Sequence, residues 1–132
     1  MSVIEGLKRH EGFRSRPYMD TTGHLTIGYG INLDAGITEE EAEWLLVHRV
    51  EKIRATLCKR LPFFSGLSGE RQGVLINMAF NLGIDGLEKF NKTLGYIDKG
   101  DYSAAADQML KSLWARQVGR RAKELSEIMR NG

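Results

Sequence analysis

The spacing of apolar positions changes twice along the chain. At the start, Ile4, Leu7 and Glu11 recur at i, i+3 and i+7 behind a Ser2/Glu5 capping-box pair, which predicts a short helix over 2–11 stopped by Gly12. Glu11 shares the direction of the apolar stripe, so partial desolvation is expected there, a condition that favours a carboxyl group as proton donor. From Arg16 to Gly30 the period drops to two. A Thr21-Thr22-Gly23 turn cluster precedes Leu25, Ile27 and Tyr29, which alternate with Thr26, Gly28 and Gly30, and this predicts a β-hairpin. Thr26 then shares its face with two glycines, which have no side chain to obstruct a ligand.

After about residue 38 the period is helical. A second capping box, Thr38 with Glu41, opens a long helix with apolar positions at Ala42, Leu45, Leu46, Val50, Ile53 and Leu57, broken by Leu61-Pro62-Phe63-Phe64. Ser68 caps a strongly apolar helix carrying Val74, Leu75, Met78, Ala79 and Leu82, which Gly83 ends. Shorter helices are predicted around Gly86 to Phe90, Lys92 to Lys99, Tyr102 to Ser112 and Arg120 to Met129. The expectation is an α+β, mostly helical domain over 1–132, with a hairpin lobe at about 13–37 and a helical lobe at about 38–132 that also takes helix 2–11. Leu75, Met78, Leu82 and Phe90 are its expected core.

Composition narrows this only slightly. With 132 residues, 42% hydrophobic and 27% charged, the chain can bury one core without disulfides or metal. The single cysteine, Cys58, excludes an intrachain disulfide framework, fits a reducing compartment and is expected to be a packing residue. Glu5, Lys8, Arg9 and Glu11 interrupt the first twelve residues, so no signal peptide, membrane anchor or stable membrane association is expected. A net charge of +2 leaves ordinary solubility and attraction to anionic polymers both open. His10, His24 and His48 are isolated, so neither metal nor cofactor is expected.

Cleaving a glycosidic bond needs a protonated carboxyl group on one side of the sugar and a second group on the other. Glu11 and Asp20 are the candidates, the latter beside a solvated turn. Residue types alone do not select this chemistry, because a Glu at a helix end and an Asp before a turn also serve local structure.

The spacing is more specific. A Glu, eight intervening residues, an Asp, five intervening residues and a Thr lie within Glu11-Gly12-Phe13, Tyr18-Met19-Asp20 and Leu25-Thr26-Ile27-Gly28-Tyr29-Gly30. This pattern resembles the phage T4 lysozyme family. The likeness extends through Leu75-Ile76-Asn77-Met78-Ala79-Phe80-Asn81, Gly83, Gly86, Phe90, Lys111-Ser112-Leu113-Trp114 and Arg121-Ala122-Lys123, and so covers most of the chain.

The resemblance implies a lysozyme fold and an enzyme that hydrolyses the β-1,4 bond between N-acetylmuramic acid and N-acetylglucosamine in bacterial peptidoglycan. By position it makes Glu11 the general acid, has Asp20 and Thr26 hold the attacking water, and gives Arg121, Gly28 and Gly30 supporting roles. Inversion is implied, which requires carboxyl groups about 6.5 to 9.5 Å apart. Phe80, Asn81, Thr93, Gln108, Trp114 and Gln117 are the implied substrate-binding residues, although the helical spacing of Phe80 and Trp114 among apolar neighbours favours a core role for those two. Two departures stand out. Ile31 follows Gly30 where the family carries a His, removing an ion pair, and the stretch from Asn32 to Thr38 is short, implying a reduced β lobe.

The biological expectation is a monomeric endolysin held in the host cytoplasm and released to the wall by a separate holin-like protein, with no nucleic-acid partner. Two other classes remain open. Arg116, Arg120, Arg121 and Lys123 form a basic cluster that suits a nucleic-acid binder, and the same fold without turnover would be a wall-binding module.

Overall fold

A computed structural model describes residues 2–132, and its contacts divide the chain into two compact units, Met1–Leu45 and Leu46–Gly132. The class is the expected one, α+β and mostly helical.

The first unit opens with helix α1, Val3–Glu11. The Ser2 hydroxyl accepts from the Glu5 N–H at 3.1 Å, and Gly12 ends the helix with φ of 69° while donating back to the Lys8 carbonyl. Three antiparallel strands follow in the order β1 (Arg14–Met19), β2 (Leu25–Gly28) and β3 (Ile31–Asn32). Tyr18 pairs with Thr26 and Met19 with Leu25, and the register slips between Arg14 and Tyr18, the interval containing Pro17, which has no N–H for the ladder.

The third strand is an addition to the predicted hairpin. Thr26 pairs with Asn32 and Ile27 with Ile31, so β2 becomes the central strand. Two residues are too few for a period, and local polar bonds hold β3 instead. The Asn32 carboxamide accepts from the Asp34 N–H, Asp34 accepts from the Leu25 N–H, and the Leu33 N–H donates to the Leu25 carbonyl.

Helix α2, Glu39–Arg60, begins in this unit with both halves of the Thr38/Glu41 capping box made, at 2.8 and 3.1 Å. It continues into the second unit, where a short 3-10 turn at Phe64–Gly66 follows it. Then come α3 (Gly69–Leu82), α4 (Ile84–Glu88), α5 (Asn91–Asp98), α6 (Tyr102–Leu110), α7 (Leu113–Val118) and α8 (Arg120–Asn131). α8 packs against α3, α6 and α7, and α5 packs on α6. The core between them includes Leu57, Phe64, Leu75, Met78, Leu87, Ile97, Met109 and Met129. Leu82 and Phe90 flank it, only partly buried.

Four expectations change. Ser112 does not end α6: its hydroxyl accepts from the Ala115 N–H and so caps α7, a separate helix that the apolar pattern did not separate. Cys58 is exposed, because the buried stripe of α2 runs through Leu57 and on to Leu61, and the next residue turns about 100° away from it. The stripe of α1 buries no residue, with Val3, Ile4 and Leu7 all exposed. Ala42, Leu45 and Leu46 of α2 are also exposed, and Trp44 is 70% exposed. The physical reason is size: a three-stranded sheet with strands of six, four and two residues offers little apolar surface to cover a helix.

Candidate active site

Glu11 is the last residue of α1 and is exposed, so the desolvation expected of it is not found. Its carboxyl group is placed by shape instead. The side chain lies over the α-carbon of Gly30, where a Cβ would stand 2.6 Å from Glu11 Cδ and closer still to Oε2. Gly30 also has φ of 73°, a conformation that side-chain-bearing residues rarely adopt, so the turn between β2 and β3 requires glycine twice over. Tyr29 joins the helix end to the sheet: the Phe13 ring lies 5.5 Å from its centroid and Lys8 Nζ 5.6 Å.

Asp20 stands just beyond β1, where one carboxylate oxygen, Oδ1, accepts three hydrogen bonds. They come from the Thr22 N–H at 2.9 Å, the Thr22 hydroxyl at 2.9 Å and the His24 N–H at 2.8 Å. The His24 N–H, and after it the Thr22 hydroxyl, hold the Asp20 carboxyl below the usual aspartate range. Asp20 is therefore ionised at neutral pH, as expected of a group that orients or deprotonates water.

Thr26, in the middle of β2, is 3% exposed, an unusual position for a hydroxyl in so small a unit. It donates to the His24 carbonyl at 2.9 Å, and that same carbonyl accepts from the Asp20 N–H at 2.9 Å. One backbone oxygen thus fixes both Asp20 and Thr26. With its proton committed to that carbonyl, Thr26 Oγ1 presents lone pairs to anything beside it. Gly28 pairs with Arg14 at the far end of the same strand.

The residues expected to bind substrate lie in the second unit. Thr93, Gln108, Trp114 and Gln117 line one cavity of about 710 Å³, together with Phe90, Ser112 and three lysines, Lys89, Lys92 and Lys111. Trp114 is buried, as a core role requires, and also lines the cavity: it is 3% exposed and stands edge-on to Phe90 with centroids 6.1 Å apart. Asn81 is not among the lining residues. Its carboxamide oxygen accepts from the Trp114 indole N–H at 2.8 Å and so orients the ring. Phe80 also lies outside the lining, and its 48% exposure rules out a core role.

Arg121 is half-buried, donating from Nε to Asn77 Oδ1 at 2.8 Å and from Nη2 to the Asn77 carbonyl at 3.4 Å. Among the described residues no three His, Cys, Asp or Glu side chains gather to hold a metal ion.

Sequence reasoning missed Thr22 and His24 as partners of Asp20, and the cavity lysines. The signal for the first pair was present, since an Asp followed at i+2 by Thr and at i+4 by His before a strand is an Asx-turn pattern. The lysines carried no such signal, because Lys111 is remote in sequence from Lys89 and Lys92.

The family model for phage lysozyme matches residues 8–130. The Pre-baseplate central spike protein Gp5 of Enterobacteria phage T4 is 30% identical over 161 aligned positions, which cover all of this chain and 28% of Gp5. Probable T4-type lysozymes 2 and 1 of Dictyostelium discoideum are 23% and 24% identical, across 99% of this chain and 95% of each relative. Fold and matches together define a lysozyme-type glycosidase. The chain belongs to the phage lysozyme family.

Proposed function

We propose that this chain hydrolyses the β-1,4 bond between N-acetylmuramic acid and N-acetylglucosamine in bacterial peptidoglycan, with inversion at the anomeric carbon. Glu11 gives its proton to the bridging oxygen as the glycosidic bond breaks. Water forms the new bond to the anomeric carbon and loses a proton to Asp20. The observation that carries this reading is the state of the two water-holding groups. Asp20 is kept ionised by its hydrogen bonds, and Thr26 has spent its proton on the His24 carbonyl, so both are acceptors. A water between two acceptors directs both O–H bonds at them and leaves its lone pair for attack.

In the second unit, half-buried Gln108 and exposed Gln117, beside Trp114, suit the amides and hydroxyls of such a polymer. NMR of fresh products from purified peptidoglycan tests the reading through the anomeric configuration before mutarotation. An α product that Glu11→Gln abolishes supports it. A β product would make Asp20 a nucleophile, and no cleavage by the wild type would favour a binding module.

For the biological role, the proposal is host lysis by a monomer that accumulates in the host cytoplasm and reaches the wall after a separate holin-like protein acts. The similarity to Gp5, named as a baseplate spike protein, favours a second role in which the domain travels with the phage particle. Immunodetection in purified particles, against detection in infected cells only, separates the two.

A further inference from the structure

Around Asp20, three groups share fewer protons than their contacts require. Thr22 Oγ1 lies 2.9 Å from Asp20 Oδ1 and 2.7 Å from His24 Nδ1, both within hydrogen-bond reach. A hydroxyl has one proton. An ionised carboxylate can only accept, so the Thr22 proton satisfies it, and the contact to the ring must then be made by a proton on His24 Nδ1. The chain of donation runs from His24 Nδ1 to Thr22 Oγ1 to Asp20 Oδ1.

We propose that His24 is a positioning residue for Asp20: by donating from Nδ1 it fixes the Thr22 hydroxyl proton on Asp20 Oδ1 and holds the carboxylate in one orientation. The proposal rests on Asp20 being the water-directing group of the reading above. Its consequence concerns the other oxygen. All three hydrogen bonds to the Asp20 side chain converge on Oδ1, and among the described residues no protein donor reaches Oδ2. Oδ2 is therefore the atom left to take a water. Were the ring to accept at Nδ1, the hydroxyl proton would turn to it, Oδ1 would lose one of its three charge-assisted bonds, and only the Thr22 and His24 N–H groups would hold the carboxylate.

The backbone of His24 already serves the site, its N–H bonding Asp20 and its carbonyl joining Asp20 to Thr26, so the ring adds a third tie from the same residue. His24 Nδ1 lies 3.9 Å from Asp20 Oδ1. The other carboxylate at this end of the sheet, Asp34, is occupied by the Leu25 N–H at 3.0 Å. The ring, half exposed, thus meets Thr22 and Asp20 rather than a competing acceptor.

The test begins with the unmodified protein. Nitrogen-15 NMR of the neutral His24 ring reads its tautomer, and carbon-13 NMR reads the titration of the Asp20 carboxyl. Protonation at Nδ1 is expected, and the Nε2-protonated form would overturn the proposal. In His24→Ala and Thr22→Val the Asp20 titration is expected to move up towards that of a free aspartate, with kcat on peptidoglycan falling about tenfold at little change in KM. His24→Asn, whose amide places a donor near Nδ1, recovers most of both. An Asp20 titration unmoved in His24→Ala would also overturn it. These spectra need no substrate, so they judge His24 even if the wild type fails to cleave peptidoglycan, a failure that would fall on the proposed function alone.

Discussion

The two units of this molecule hold their functional side chains by different forces. In Met1–Leu45 the only fully buried side chain among the described residues is Thr26, and Glu11 and Asp20 are set by a glycine contact and by hydrogen bonds within a few residues of each other. In Leu46–Gly132, Trp114 and Thr93 are held by helices packed round a continuous apolar core. Polar ties fix direction to within a rotamer but contribute little net stability, about 1 kcal/mol each. Packing contributes more and is less directional. The proposed acid and water-holding groups need direction, whereas the proposed wall for a polymer needs a durable surface.

That contrast can be broken most sharply at Glu11. Glu11→Gln removes the proposed proton donor and is expected to lower turnover by about a thousandfold or more while leaving thermal unfolding unchanged, since the side chain is exposed. Product release and a melting curve on one preparation check both halves. Met78→Ala is the mirror image. Met78 is fully buried, so the change is expected to cost about 2 to 5 kcal/mol by denaturant titration, with unaltered turnover per folded molecule.

Gly30→Ala lies between these extremes. The new methyl group must displace Glu11, which is expected to cost about a hundredfold in kcat, and the positive φ adds about 1 to 2 kcal/mol of strain. A loss of stability without loss of kcat would show that Glu11 finds its place without the glycine. Asn81→Ala leaves the buried Trp114 indole N–H without its acceptor, and about 1 to 2 kcal/mol is expected to be lost, measured by denaturation with tryptophan fluorescence.

The smallest effect expected is one of pH. The folded carboxyl of Asp20 titrates below its ordinary value of 3.8, so its contribution to stability is complete above that value and is lost as pH falls through the folded one. The acid limb that Asp20 gives to the pH–rate profile is accordingly expected below pH 3.8, and a limb above it would mean that these hydrogen bonds are not kept in solution.

Legibility in the sequence follows the same division. α3 could be read almost residue by residue, because Ser68, Gly83 and a dense apolar period all agree on it. β3 could not, being two residues long and fixed by Asn32 and Asp34 rather than by any alternation. α7 was hidden because Ser112 looks equally like the end of one helix and the cap of the next, and only the direction of its hydrogen bond decides. The spacing of Glu11, Asp20 and Thr26 was visible through family resemblance, but the expectation that Glu11 would be desolvated followed from a stripe that finds nothing to pack against in its own unit.

What the sequence determined by itself was whatever depends on neighbours within a turn or two: caps, helix stops, the period of each segment, and the Asx turn that keeps Asp20 ionised. Only the tertiary structure decided which apolar stripes become core, that Gly30 makes room for the Glu11 carboxyl, that Asn81 orients Trp114 and that Lys111 joins Lys89 and Lys92 at one cavity. The reason is physical. Hydrogen bonds and backbone torsions act over a few residues, whereas burial and close approach depend on which surfaces the folded chain brings together.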